Sequence, residues 1–170
     1  MNVYLDREKT DKIFFNILSN AMKFTPESGS IEIKIYQLNQ QETSTDYVVI
    51  GDSFSGKRVC VEFSDNGSGI PSNELKLIFE RFEQGEKNHS SGTGIGLHMA
   101  YEYTRMQKGC IKIKSTEGEG TTFIVCFPIH DINGNSIKDL KDAKNFVTIN
   151  LSKESSSYTK EALAQYEQIV

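Results

Sequence analysis

The sequence has 170 residues and a net charge of −4 at neutral pH, with 37% hydrophobic and 25% charged residues, which suits one globular domain with a real core. The negative charge argues against nucleic acid as a partner, and a polyanionic ligand would have to be held by local donors because the global field does not attract it. No stretch approaches the roughly 18 apolar residues of a membrane-spanning helix, and the N-terminus lacks a signal-peptide pattern, so we expect a cytoplasmic domain without direct membrane contact.

The first predicted element is a helix from about Asp6 to Phe24. Its apolar positions recur at helical spacing: Ile13, Phe14, Ile17, Leu18, Ala21 and Met22. Asp6 can cap its start, and Thr25-Pro26 stops it.

Two strands follow the helix. Residues 30–37 alternate between isoleucine and polar side chains, which predicts a half-buried strand, and residues 58–64 repeat the pattern. The polar stretch between them, 39–57, is expected to be a long hairpin loop around a short strand at 47–50. We assign this loop no role.

The second half of the domain alternates again between helix and strand. Ser72 can cap a short helix running to about Phe79, and residues 83–93 are rich in Gly, Ser and Asn, which indicates a mobile loop. A helix should begin near Ile95 and end at Lys108-Gly109, where the glycine is a C-terminal cap. Strands at 110–115 and 121–127 should pair around a tight turn.

These elements predict an α/β (α+β) two-layer sandwich, with a mixed, mostly antiparallel sheet and helices on one face. The domain should span residues 1–130, followed by a C-terminal extension or linker at 131–170 that holds a strand near 145–151 and a helix near 160–168. The cysteines are Cys60, Cys110 and Cys126. The last two lie in alternating apolar runs, where cysteine usually acts as a small buried hydrophobe, with a metal or disulfide role as the alternative.

The first helix carries a polar set on one face. Asn16, Asn20 and Lys23 lie four and then three residues apart, so they are neighbours on its surface. Amide oxygens can ligate Mg²⁺, and a lysine can meet a phosphate as a point charge. Helical asparagines can equally be solvated without a role, so these three residues do not decide the function.

Two glycine-rich segments are candidate ligand loops. Residues 65–71 follow a strand directly, so Asp65 at the strand end could accept a hydrogen bond from an exocyclic amine, although an ordinary Asp-Asn-Gly turn is the alternative. Residues 92–97 lead into a helix whose free amides could bind phosphate. The second segment is neither a P-loop nor a dinucleotide fingerprint, and simple glycine flexibility is its alternative explanation.

Taken together and in order, these segments resemble the histidine-kinase branch of the GHKL ATPase superfamily, whose nucleotide pocket is called the Bergerat fold. The matching boxes are the N box FNILSNAMKFTP (15–26), the first glycine box DNGSGIP (65–71), the F box IFERFEQ (78–84), the second glycine box GTGIGL (92–97) and the closing hairpin GEGTTF (118–123). They span the core of the domain.

The resemblance implies a role for each matching residue. Asp65 would recognise the adenine amine with support from Thr122, Asn20 and Asn16 would hold Mg²⁺ against the triphosphate, and Lys23 would contact a phosphate. The remaining residues implied to surround ATP are Phe24, Gly67, Gly69, Ile70, Gly92, Thr93, Gly94, Gly96 and Leu97. Phe79 and Phe82 would anchor a flexible ATP lid, with plain core packing as the alternative.

The resemblance also bears on mechanism. Hydrolytic members of the superfamily carry a glutamate at the place of Asn16, and asparagine cannot act as a general base, so we expect ATP to be held for another nucleophile. The family's acceptor histidine lies upstream on a dimerising hairpin, and its phosphoryl group passes to a response regulator receiver domain. His130 lacks the context of that acceptor, so this chain should not phosphorylate itself. His89 could touch a phosphate, with a solvated loop histidine as the alternative, and His98 is expected to face solvent or the core.

Two other functions fit the same fold. A degenerate binding module would keep the fold without catalysis, but Asn20, Asp65, Gly94 and Gly96 are intact. A serine kinase of the anti-sigma type would share the pocket, but the F-box match favours the histidine-kinase branch. The parent protein is expected to be a membrane-anchored or cytosolic sensor kinase, and the C-terminal tail is compatible with a hybrid kinase.

Overall fold

The computed structural model describes residues 5–38, 46–51, 56–80 and 95–129, and the backbone of 147–152. The described elements, in chain order, are α1 (Arg7–Phe24), β1 (Ser30–Leu38), β2 (Val48–Gly51), β3 (Arg58–Asp65), a 3₁₀ turn (Leu77–Phe79), α2 (Gly96–Met106), β4 (Cys110–Thr116), β5 (Gly120–Pro128) and β6 (Val147–Ser152). The predicted first helix is confirmed, including its cap, because the Asp6 side chain accepts a hydrogen bond from the Lys9 amide.

The described strands form one six-stranded sheet in the order β2-β4-β5-β3-β1-β6, and each pairing is antiparallel. The expected long connection is confirmed, since β1 and β3 pair antiparallel across it and it contains the short strand β2. The sequence did not predict where β2 lies, which is at the far edge of the sheet, where it pairs with β4. There, Val48 and Ile50 lengthen the apolar face formed by Ile111 and Ile113. The predicted strand in the C-terminal tail is confirmed, and β6 extends the same sheet beside β1.

One face of the sheet packs against α1 and α2 and holds the main core. Its fully buried members include Ile13 and Ile17 from α1 and Ile111, Val125 and Phe127 from the sheet. Burying such a side chain stabilises the fold by about 1.5–3 kcal/mol each. The apolar alternation of the strands therefore fixes which face receives the helices.

The opposite face of the sheet is less polar than its alternating pattern predicts. Cys60, Cys110, Cys126 and Ile124 form a second buried cluster there, joined by Tyr36, Leu38 and Tyr47. Neighbouring rows on this face carry charge, as in the pairing of Lys34 with Glu32 and Glu62. The interpretation of the cysteines as small buried hydrophobes is confirmed.

Two helix predictions need correction. Residues 72–79 form turns that end in a 3₁₀ turn, because so short an isolated segment does not sustain an α-helix and Phe79 is instead held by packing. At the end of α2, Lys108 and not Gly109 adopts the left-handed conformation, with φ of 56°. Gly109 is needed for close approach, since a Cβ there would lie 2.7 Å from the Cys126 carbonyl oxygen.

Candidate functional site

Asp65 ends β3 and carries a half-buried carboxylate beside β5. Its Oδ1 accepts hydrogen bonds from the amides of Gly67, at 2.9 Å, and Thr121, at 3.3 Å. Burial raises the pKa of Asp65 above its ordinary value, and the two amides act in the opposite direction. No described residue donates to Oδ2, so the carboxylate is oriented through one oxygen and retains acceptor capacity on the other.

The loop 66–71 is held between α1 and the β4–β5 hairpin by close backbone contacts. The Ser68 amide donates to the Phe24 carbonyl oxygen over 3.2 Å, and a Cβ at Gly67 would lie 2.6 Å from the same oxygen. Gly69 has φ of +67° and its added Cβ would lie 2.0 Å from the Thr116 carbonyl oxygen. The two glycines are therefore required for the loop to reach this position, and they bring Phe24 next to Asp65.

The polar face of α1 lies beside the start of α2. Asn16 and Asn20 are half-buried, and neither side chain makes a hydrogen bond to another described residue. A Cβ added to Gly96 would lie 3.1 Å from Asn16 Oδ1, so the second glycine box comes into contact with the N box at this point. Lys23 is exposed, with its Nζ 4.8 Å from the centre of the Phe24 ring.

The remaining predicted site residues fall into two groups. Ile70 and Leu97 are partly buried and pack against the main core. Gly92, Thr93, Gly94 and Phe82 lie outside the described residues, as do His89 and His130.

Phe79 occupies the core beneath α2. Its ring packs edge-on against Tyr101 and Phe123, at centroid distances of 6.4 and 6.2 Å. Its carbonyl oxygen lies 3.0 Å from Nδ1 of His98. Core packing of Phe79 is thus present, and His98, which was expected only to face solvent or the core, links the F box to α2.

The support predicted for Asp65 needs a correction of one residue. Thr121 lies opposite Asp65 in the register, whereas Thr122 lies opposite Ser64 and its hydroxyl is 3.0 Å from the Ser64 hydroxyl. Because side chains alternate along a strand, Thr122 points to the opposite face of the sheet from Thr121. The sequence contains both threonines, and only the register of β3 against β5 decides between them.

The described residues contain no cluster of His, Cys, Asp and Glu able to hold a metal ion. A divalent cation at this site would therefore have to be held by amide oxygens such as those of Asn16 and Asn20, together with oxygens of its ligand. Amide oxygens are hard donors, so the residues present fit Mg²⁺ bound with phosphate.

Residues 5–131 match the family described as histidine kinase-, DNA gyrase B- and HSP90-like ATPases. Histidine kinase P4 of Formosa agariphila is 34% identical over 83% of this chain and 10% of its own length. The autoinducer 2 sensor kinase/phosphatase LuxQ of Vibrio parahaemolyticus is 34% identical over 77% of this chain and 14% of its own length. Sensor histidine kinase WalK of Bacillus subtilis is 31% identical over 74% and 19%. This chain thus spans a fifth or less of these relatives.

Solved structures share the fold. The mycobacterial sensor histidine kinase MprB superposes with a TM-score of 0.58 at 22% identity, over 79% of this chain and 76% of that one. The catalytic domain of histidine kinase ThkA superposes with a TM-score of 0.54 at 25% identity, over 75% and 71%. Neither described helix is long and apolar enough to cross a membrane.

Proposed function

Because this chain belongs to the family of histidine kinase-, DNA gyrase B- and HSP90-like ATPases, we propose that it is the ATP- and Mg²⁺-binding catalytic domain of a sensor histidine kinase. It positions the γ-phosphate of ATP for transfer to a histidine on a separate dimerisation domain. The observation that carries the proposal is the geometry of Asp65, whose Oδ1 is held by two backbone amides while Oδ2 receives no hydrogen bond from a described residue.

Asp65 provides the specificity for adenine. A carboxylate accepts a hydrogen bond from the exocyclic amine of adenine, whereas guanine presents a carbonyl oxygen at that edge and would repel it. The Gly67 and Thr121 amides fix the direction of the carboxylate before the base arrives, which reduces the ordering required on binding. An ionised carboxylate only accepts hydrogen bonds, so Asp65 in that form suits the adenine amine.

The triphosphate lies between α1 and the start of α2. Gly96 contacts Asn16, so phosphates bound at the N-terminal end of α2 meet the amide side chains of the N box. Asn20 and Asn16 would hold Mg²⁺, and Lys23 would contribute positive charge. A role in phosphate binding is also assigned to Gly92, Thr93 and Gly94, as the family resemblance implies. When bound, Mg²⁺ neutralises charge on the phosphate oxygens.

The chemistry follows from what Asn16 cannot do. It has no proton-accepting group, so the pocket does not activate water and holds ATP for a nucleophile that arrives in line. An imidazole nitrogen then bonds to the γ-phosphorus, the bond to the bridging oxygen breaks, and that oxygen leaves with its electron pair as ADP. The phosphorylated imidazolium then loses its ring N–H proton to solvent, which leaves an uncharged ring that carries the anionic phosphoryl group, and no water is consumed.

The partners are other domains and a second protein. The relatives are five to ten times longer than the matched part, which leaves room for a dimerisation domain that bears the histidine. A response regulator receiver domain then takes the phosphoryl group onto an aspartate. The domain works in the cytoplasm, and the parent protein is anchored in the inner membrane.

Calorimetric titration of ATP into this chain tests the proposal, with Mg²⁺ and with a chelator. We expect saturable binding that weakens on chelation. Asp65→Asn should weaken it by roughly 10- to 100-fold, because a hydrogen bond to a charged group is lost. Asp46→Asn is the matched control, since its exposed carboxylate lies on the β2 edge and pairs with Lys114. Absence of saturable binding, or equal loss in both variants, would overturn the proposal.

A further inference from the structure

Ser115 connects the two structural parts that meet at Asp65. We propose that it is a positioning residue of the nucleotide pocket, whose hydroxyl ties the loop 66–71 to the β4–β5 hairpin and so keeps the Thr121 amide on Asp65. The predicted effect on ATP binding rests on the proposed function. The link from Ser115 to Asp65 rests on hydrogen-bond geometry alone.

The Ser115 hydroxyl lies at the centre of three short hydrogen bonds. Its Oγ accepts from the Ile70 amide over 2.8 Å and donates to the Gly120 carbonyl oxygen over 2.8 Å. The Thr121 hydroxyl is 2.9 Å away and acts as the donor to Ser115, since the single Ser115 proton is already committed to Gly120. One hydroxyl thus uses its proton and both lone pairs on three different residues.

The backbones that Ser115 joins are pressed against each other. The Gly118 amide donates to the Ser68 carbonyl oxygen over 2.7 Å. A Cβ at Gly120 would lie 2.0 Å from the Asp65 carbonyl oxygen, and one at Gly69 would lie 2.0 Å from that of Thr116. Among the described residues, the Ile70 amide donates to the Ser115 hydroxyl alone, so this hydrogen bond is lost when the hydroxyl is removed.

The effect reaches the candidate adenine site through Thr121. The Thr121 hydroxyl is hydrogen-bonded to Ser115, and the Thr121 amide is one of two donors to Asp65 Oδ1. Ser115 therefore helps to hold that amide in place. Without the Ser115 hydroxyl, the hairpin and the loop can separate at this point and the Thr121 amide moves away. The carboxylate then loses part of its orientation, although it keeps the Gly67 amide.

The test compares three variants of the full chain. Ser115→Ala removes the hydroxyl, and Ser115→Thr keeps it. Ser64→Ala removes a hydroxyl of the neighbouring strand β3 that bonds to Thr122 on the opposite face of the sheet, so it controls for a general loss of interstrand bonding. Thermal unfolding of each variant records the change in stability, and calorimetry with ATP and with GTP records affinity and base preference.

We expect Ser115→Ala to weaken ATP binding by roughly 5- to 30-fold, in line with the loss of one or two buried hydrogen bonds, and to narrow the preference for ATP over GTP. Ser115→Thr should bind ATP within about threefold of the unchanged chain, a small shift on the scale of one hydrogen bond. Ser64→Ala should lower the melting temperature without changing nucleotide affinity. Unchanged ATP affinity in Ser115→Ala, or an equal loss in Ser64→Ala, would overturn the inference.

A second readout needs no nucleotide. Carboxyl titration of Asp65 by NMR should show a higher pKa in Ser115→Ala than in the unchanged chain, because the Thr121 amide lowers that pKa where it is in place. If the unchanged chain fails to bind ATP but this rise is seen, the proposed function falls and the positioning role of Ser115 stands. If the pKa does not change, the positioning role itself is contradicted.

Discussion

Asp65 and Thr121 lie opposite each other on β3 and β5, and the Thr121 amide donates to Asp65 Oδ1 over 3.3 Å. The closing hairpin therefore acts on the candidate adenine site through its backbone, and the threonine hydroxyl is turned to Ser115 instead. A carboxylate held in this way is ordered before any ligand arrives. Burial also raises the pKa of Asp65, so ionising this carboxylate lowers the free energy of unfolding.

The first prediction concerns the effect of Asp65 ionisation on stability. The folded pKa of Asp65 lies above the unfolded value of 3.8, so the folded state holds more protons between these two values. The contribution of Asp65 to the free energy of unfolding is then most favourable below the unfolded pKa and is lost as pH rises through the folded pKa. Asp65→Asn should make the ligand-free chain at least as stable as the unchanged chain at neutral pH, and the difference should shrink in acid.

Urea unfolding at neutral pH and near the ordinary aspartate pKa measures this difference. Asp46→Asn serves again as the control, since its carboxylate is exposed. An Asp65→Asn variant that is clearly less stable at neutral pH would show that the carboxylate stabilises the fold, contrary to this expectation.

The second prediction separates two glycines of the same hairpin. Both have positive φ, +84° at Gly118 and +124° at Gly120, but an added Cβ at Gly118 meets nothing within 4 Å while one at Gly120 meets the Asp65 carbonyl oxygen at 2.0 Å. Gly118→Ala should lower the free energy of unfolding by about 1–2 kcal/mol, from backbone strain alone. Gly120→Ala should lower it by about 3 kcal/mol or more, because the strands must also separate.

Chemical denaturation of both variants decides the comparison. Equal losses would mean that the close approach of Gly120 to Asp65 does not exist in solution. Because Gly118→Ala leaves the contact with Asp65 in place, that variant should still bind ATP.

The third prediction uses the contact between Gly96 and Asn16. Gly96→Ala favours helix formation at the start of α2, so stability should be unchanged or slightly higher. Its methyl group would lie 3.1 Å from Asn16 Oδ1 and would displace that side chain. The Mg²⁺-dependent part of ATP binding should therefore weaken several-fold, which calorimetry with and without chelator measures. Full Mg²⁺ sensitivity in Gly96→Ala would remove Asn16 from the metal site.

The fourth prediction concerns the buried cysteines. Cys60, Cys110 and Cys126 adjoin one another across three strands, and a hydrogen bond with Cys126 together with burial raises the pKa of Cys110. Thiolate is the reactive form, so the folded chain should resist alkylation at mildly alkaline pH. The unfolded chain should react at all three sites. A cysteine that is labelled equally fast in both states would not be buried as described.

Local pattern was sufficient to predict most of the fold. The apolar spacing and caps of α1 gave its ends to within a residue, and alternation located the strands. Strand order was not predictable in the same way, because the attraction of β2 to β4 depends on an apolar face that forms only when distant strands meet. A helix was predicted at 72–79, where the structure has turns, because a capping residue does not show whether so short a helix is stable.

The candidate site shows the same division. Asp65 and the glycines could be proposed as site residues from the sequence because their residue types are restricted and their segments occur in the order of a known family. Ser115 and His98 could not, since each is a single polar residue in an ordinary strand or helix. The sequence analysis chose Thr122 instead of Thr121. Only the register of β3 against β5 distinguishes the two threonines, and that register cannot be predicted from a single sequence.

The most direct test of the account is NMR mapping of a non-hydrolysable ATP analogue with Mg²⁺ on the labelled chain. We predict that the largest shifts of backbone amides and asparagine side chains fall at Gly67, Thr121, Asn16 and Asn20, and that Cys60 on the opposite face of the sheet does not move. Shifts confined to that opposite face, or no shifts at saturating analogue, would contradict the assignment of this pocket to ATP.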